Sequence, residues 1–213
     1  MKQALILQGG PASVNGQKCR DWQITRLFWE ARDPNATPAL LKSTRQAGIG
    51  VGLMRDPSWN NLTATNLAEQ MSQDLADKGF GATSGPDSCA AMFDMEKHNA
   101  QYAIDMLERW RLLRPTRTTL FTLESGQGGW FTDELAALIN KDPNLTMVPQ
   151  FYLGSPRLYP VDPSWSIWDL SVVGGVTESK IVGFYDGEAR VPYGWYGLVY
   201  GFNSLPAKPE TPL

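Results

Sequence analysis

The strongest constraint on the fold is an alternation. Short apolar runs recur eight times, at 4–8, 22–30, 49–54, 89–96, 118–123, 146–153, 180–185 and 196–202, and helical spacing fills most of the intervals. Leu40, Leu41, Thr44 and Ala47 follow Thr37-Pro38 and precede Gly48; Leu62, Leu67, Met71 and Leu75 precede Gly79. Tyr102, Met106, Leu107 and Trp110 form another stripe, as do Leu135, Leu138 and Ile139. Such spacing, with glycine at the ends and proline at a first turn, reads as helix. Residues 13–21 read as loop, 156–176 are ambiguous with a short helix over 167–173, and Pro149 makes the sixth strand the least regular.

Strands alternating with helices predict a parallel sheet joined by right-handed crossovers. Eight of them predict a single α/β domain, a (β/α)8 barrel of TIM type, over residues 4–205. The alternative is an open doubly wound parallel sheet. No Gly-x-Gly-x-x-Gly follows the first strand, which removes the usual reason to prefer it. Residues 206–213 contain three prolines and read as an extended tail or attachment arm.

A net charge of −3 and a pI near 5.2 leave no basic footprint, which argues against a nucleic-acid partner. Two cysteines, Cys19 and Cys89, fit neither a disulfide scaffold nor a zinc site and read as buried thiols. The first apolar run holds four residues, too short for a signal peptide or a membrane span. The expectation is a protein made soluble, with no membrane partner and no cofactor.

In a β/α barrel the chemistry sits at the C-terminal strand ends. There the sequence places Glu30, Arg55, Asp94, Glu96, Glu124, Gln150, Tyr152, Tyr185, Asp186 and Tyr200. Carboxylates among aromatic rings suit a sugar, whose apolar faces stack while its hydroxyls need donors and acceptors. Asp94 and Glu96, two apart on one strand, share a face at a spacing of roughly 6.6 Å. Glycosidic cleavage needs an acid to protonate the leaving oxygen, and a second carboxylate as nucleophile, base or orienting group. Glu96, nearer the mouth, is the expected proton donor; Asp94, deeper, the orienting or stabilising group. An ion pair of these acids with Arg32 or Arg55 would be the structural alternative. His98, the sole histidine, has no nucleophile elbow beside it and reads as a loop or helix-start residue, and one histidine makes a metal site a poor fit.

Leu27-Phe28-Trp29-Glu30-Ala31, then Ala47-Gly48-Ile49-Gly50-Val51-Gly52, then Met92-Phe93-Asp94-Met95-Glu96, in that order, resemble glycoside hydrolase family 25. These are the lysozyme-like barrels common among bacteriophage lysins and some phage tail proteins. The resemblance implies Glu96 as general acid, Asp94 as its partner and Asp186 as a further carboxylate. It implies bacterial cell-wall glycan as ligand, and a virion location with other tail proteins as partners, or release from the host cytoplasm. The family's strand-one acid is absent, since Leu7-Gln8-Gly9 stands there. Two classes stay open: an active cell-wall hydrolase, and a minor tail protein that keeps the barrel for glycan binding or assembly.

Overall fold

The computed structural model describes residues 3–7, 12–21, 24–57, 61–81, 89–95, 99–124, 132–151, 175–180, 184–186 and 196–198. The strands are β1 (Gln3–Leu7), β2 (Ile24–Glu30), β3 (Gly50–Arg55), β4 (Ala90–Asp94), β5 (Thr119–Glu124), β6 (Leu145–Phe151), β7 (Phe184–Asp186) and β8 (Tyr196–Leu198). Each pairs in parallel with the next in one sheet of order β1 to β8. β8 comes back against β1. This is the expected (β/α)8 barrel. A doubly wound sheet needs a reversal of strand order partway, and there is none.

Between strands lie α1 (Gly16–Asp21), α2 (Pro38–Gln46), α3 (Ala64–Asp77), α4 (Ala100–Leu113) and α5 (Asp133–Lys141), with a 3-10 turn at Glu178–Lys180. Four helices begin on a polar cap. The side-chain oxygens of Thr37, Thr63, Asn99 and Thr132 accept from the backbone N–H of Leu40, Asn66, Tyr102 and Leu135, each satisfying a donor the helix cannot. Beyond α2 and α3, Gly48 and Gly79 take φ of 81° and 86°, the left-handed turn that ends a helix without crowding a Cβ. One expectation is corrected: the stretch read as loop contains α1. Six residues are too few to show periodicity. The Asn15 side chain accepts from Gln17 N–H (2.9 Å) and Lys18 N–H (3.1 Å) to start the helix, and Cys19 is fully buried by it. The short helix expected over 167–173 and the arm at 206–213 lie outside the described residues.

Alternate strand positions serve two different cores. Leu27, Trp29, Val51, Leu53, Ala91, Phe93, Phe121, Leu145 and Met147 join the buried faces of the helices in one cluster. Phe28, Met54, Ala90, Met92 and Leu120 are equally buried but stand outside that cluster; they fill the barrel interior. In the outer layer Trp110 meets Phe93 edge to face, with centroids 5.1 Å apart, and its indole N–H donates to Thr119 Oγ1 at 2.8 Å.

At the N-terminal strand ends three arginines act as struts. Arg114 donates to Ser72 Oγ (2.9 Å) and to the Phe80 carbonyl (3.2 Å), and Arg117 donates to the carbonyls of Cys89 (3.0 Å) and Gly81 (2.8 Å). Arg111 pairs with Asp142 and donates to the Arg117 carbonyl. Burial lowers the pKa of all three below the ordinary arginine value, which is the desolvation cost of using guanidinium groups as internal ties.

Inside the barrel Phe28 is in register with Gly52, and its ring occupies the space a side chain at 52 would need. A Cβ there would lie 2.2 Å from Phe28 Cε1. Gly52→Ala is therefore expected to cost about 1–3 kcal/mol through overpacking. Gly81→Ala, with open space at its Cβ, should leave the urea midpoint within the scatter of wild type; equal losses at both positions would contradict the packing account.

Candidate functional site

β4 carries Asp94 to the C-terminal end of the barrel in the same phase as Ala90 and Met92. Asp94 is 7% exposed. Glu30 ends β2 in the phase of Phe28 and is 6% exposed. The register runs Glu30 to Met54 to Met92, but β3 and β4 each end one residue beyond the partner of the preceding strand's last residue: β3 at Arg55 rather than Met54, β4 at Asp94 rather than Phe93. That advance is the stagger of a closed eight-stranded barrel, about one residue per strand. Two strands on, it brings Asp94 level with Glu30. Alternate strands fill one interior layer, so two buried carboxylates share a layer above Phe28, Met54 and Met92.

Glu30 is held from its own turn. Arg32 donates to it twice, from the backbone N–H to Oε2 at 2.8 Å and from Nε to Oε1 at 2.9 Å. Charge-assisted bonds of this kind fix the orientation of a carboxylate. Arg32 keeps a side-chain exposure of 37%, so the pair opens towards solvent on the arginine side.

Glu124 ends β5 in register with Gln150 of β6, and Asp186 ends β7 in register with Leu198. All three expected polar residues therefore fall at C-terminal strand ends. Tyr185 precedes Asp186 on β7, in register with Phe151. Glu96, His98, Tyr152 and Tyr200 lie outside the described residues, as do Trp165, Trp168 and Trp195. Strand four ends two residues earlier than expected, at Asp94, followed by a fully buried Met95. Of the eight tryptophans, Trp29 and Trp110 are core residues with no exposure.

Arg55 goes elsewhere. It shares the phase of Val51 and Leu53 and faces the helical layer, where its Nε pairs with Asp74 of α3. The sequence places Arg55 at the mouth as a substrate-binding residue, and the structure corrects this. The strand's alternation turns it outward, and a buried cation in an apolar layer requires a counter-ion. The ion pairs of Arg32 and Arg55 thus fall on Glu30 and Asp74. Asp74, Arg114 and Arg117 were not foreseen from the sequence; the Arg111-x-x-Arg114-Pro115-x-Arg117 spacing between helix and strand was their one visible signal.

Beside the mouth, the Tyr102 hydroxyl donates to the Leu62 carbonyl at 2.7 Å. Burial, then the Asp56 charge, raises its pKa to about 12. Burial likewise raises Cys19 to about 11 and Cys89 to about 12, which leaves both as thiols and removes them as nucleophiles. Among the described residues no three His, Cys, Asp or Glu side chains converge on a metal position, and no helix is long and apolar enough to cross a membrane.

The site thus belongs to a (β/α)8 barrel with carboxylates at the C-terminal face. No family model matches the chain, and no curated protein sequence does. A solved structure of a candidate chitinase A from Streptomyces coelicolor matches 94% of this chain and 91% of its own, with a TM-score of 0.61 and 13% identity. Tryptophan synthase from M. tuberculosis in an open form matches 93% and 83%, with a TM-score of 0.47 and 14% identity. The likeness to the first is one of fold.

Two measurements test these placements. Arg55→Ala should destabilise by about 3 kcal/mol because it strands Asp74, and adding Asp74→Ala should recover part of that loss in a double-mutant cycle; additive losses would contradict the pairing. Because both thiols titrate higher in the fold than the ordinary thiol value of 9.0, the unfolded chain loses those protons first. Stability is therefore complete below about pH 9 and falls as pH rises from there towards 12. Replacing both cysteines by alanine should flatten that alkaline slope in urea titrations.

Proposed function

We propose that this barrel is a glycoside hydrolase acting on the N-acetylated glycan of bacterial cell walls. The observation that carries the reading is the buried layer of Glu30 and Asp94 at the C-terminal end of a closed barrel. The fold it shares with a candidate chitinase is consistent with it. Glu96, two residues beyond Asp94, protonates the glycosidic oxygen. Asp94 orients the neighbouring acetamido group or stabilises charge as the bond breaks. Two like charges held as close as Asp94 and Glu96 cannot both ionise cheaply, so the pair keeps one member protonated near neutrality. Asp186 adds a third carboxylate on the far side of the barrel. Glu30, Glu124 and Gln150 take the sugar hydroxyls, and Tyr152, Tyr185 and Tyr200 give faces on which pyranose rings stack. In this reading Arg55 has no part in binding.

A second reading is favoured by one residue: Gln8 follows β1, where the lysozyme-like barrels place an acid. Without that acid the barrel binds wall glycan and does not cut it, as a minor tail protein of a phage virion would. The residues 206–213 then serve as an arm towards other tail proteins.

Release of reducing ends from purified cell wall, by wild type and by Glu96→Gln, separates the two. A hydrolase should lose about 10²- to 10⁴-fold of its rate on removal of its general acid, with retention on wall material unchanged. Saturable retention with no release by either protein would establish the binding reading and end the catalytic one. Asp94→Asn should lower kcat more than it changes KM if Asp94 acts chiefly on the transition state.

A further inference from the structure

Away from the barrel mouth, a groove of about 400 Å³ runs between α4 and the end of α5. Leu107 and Leu138 give it an apolar wall, and Glu108 on α4 faces it across from Lys141 on α5. Its base is fixed by the Arg111–Asp142 ion pair and by Arg111 Nη1 donating to the Arg114 (3.2 Å) and Arg117 (2.8 Å) carbonyls. A groove held open in this way needs no rearrangement to receive a side chain.

Beside it stands a knob. Leu112 is 77% exposed, the one large apolar side chain so exposed among the described residues. It lies one turn beyond Glu108 on the same face of α4, beside the groove that Glu108 lines. Neither Glu108 nor Lys141 has an ion-pair partner among the described residues. One patch thus holds an apolar knob, an apolar groove beside it, and two rim charges of opposite sign. Such a patch is complementary to itself, which is the requirement of a two-fold contact between identical chains.

We infer that this chain forms a two-fold dimer through the α4–α5 face. Leu112 of each protomer enters the groove of its partner, and Glu108 of each meets Lys141 of the other. The two-fold axis makes every contact twice, so a modest patch acts with doubled weight. The dimer leaves the C-terminal strand ends untouched, since the groove is lined at its lower end by Pro115, Pro143 and Asn144, which lead into the N-terminal ends of β5 and β6. The inference is therefore independent of what the mouth binds.

The test is sedimentation of the full chain across the micromolar range. Wild type should associate reversibly to a dimer, and Leu112→Asp should be monomeric throughout with an unchanged thermal midpoint. Glu108→Lys and Lys141→Glu, each alone, should weaken association at least about tenfold, because each places two like-charged pairs in the contact. The double variant should recover it. Mixing the two single variants should also recover it, as a heterodimer in which both charge pairs are restored. A wild type that stays monomeric overturns the proposal, and so does a dimer indifferent to these substitutions, which would use another face. Failure of the single-variant mixture to associate would rule out the two-fold pairing of Glu108 with Lys141.

Discussion

Burying both faces of every strand is the condition from which the rest of this molecule follows. In a closed parallel barrel one phase of side chains meets the helices and the other meets the barrel axis, so no strand position in the middle is wet. Leu27, Trp29, Leu53 and Phe93 answer to the first requirement, Phe28, Met54 and Met92 to the second. A charged residue on a strand then has two outlets. It stands at an end of the barrel, as Arg26 does near the start of β2 and Glu30 and Asp94 do where the axis opens at the C-terminal end, or it enters the outer layer and takes a counter-ion with it, as Arg55 does with Asp74. The site and the ion pair are two outcomes of one constraint.

The same constraint decides what the sequence discloses. The repeat of apolar run and helical stripe is long-range and redundant, so the barrel and the four longer helices are legible; Thr37, Asn99 and Thr132 cap helices where those stripes lead one to expect a start, whereas Leu62, read with the second stripe, lies just before the Thr63 cap. What is illegible is the phase. Arg55 and Glu30 both end apolar runs, and both look like mouth residues until the alternation is counted against their neighbours in space. Val51 and Leu53 face the helices, which puts Arg55 with them. Nothing in Gly50-Val51-Gly52-Leu53-Met54-Arg55 states which set faces inward, because apolar residues occupy both.

α1 is illegible for a different reason. A six-residue helix has too little length for periodicity, and its evidence is one buried cysteine and one asparagine cap. The arginine struts escaped notice because their acceptors are backbone carbonyls, of Phe80, Gly81 and Cys89, and carbonyls leave no mark in a sequence. Charge patterning finds ion pairs between side chains and is blind to this kind of tie.

The two ends of the barrel carry opposite chemistry, and this bears on function. At the N-terminal end the cations are spent on carbonyls and on Asp142, so Arg111, Arg114 and Arg117 are bound into the framework and their guanidinium groups are partly desolvated. At the C-terminal end the described charges include Glu30 and Asp94, with Arg32 tied to the first of them. Under the proposed reading a neutral, hydroxyl-rich ligand asks for no cation beyond Arg32 among these described residues, whereas a phosphate would. That difference is the same whether the proposed ligand is cleaved or only bound. Cleavage rests on a narrower condition: a proton must be held beside Asp94 at the pH at which Asp94 is charged, which is a property of the pair and not of the barrel.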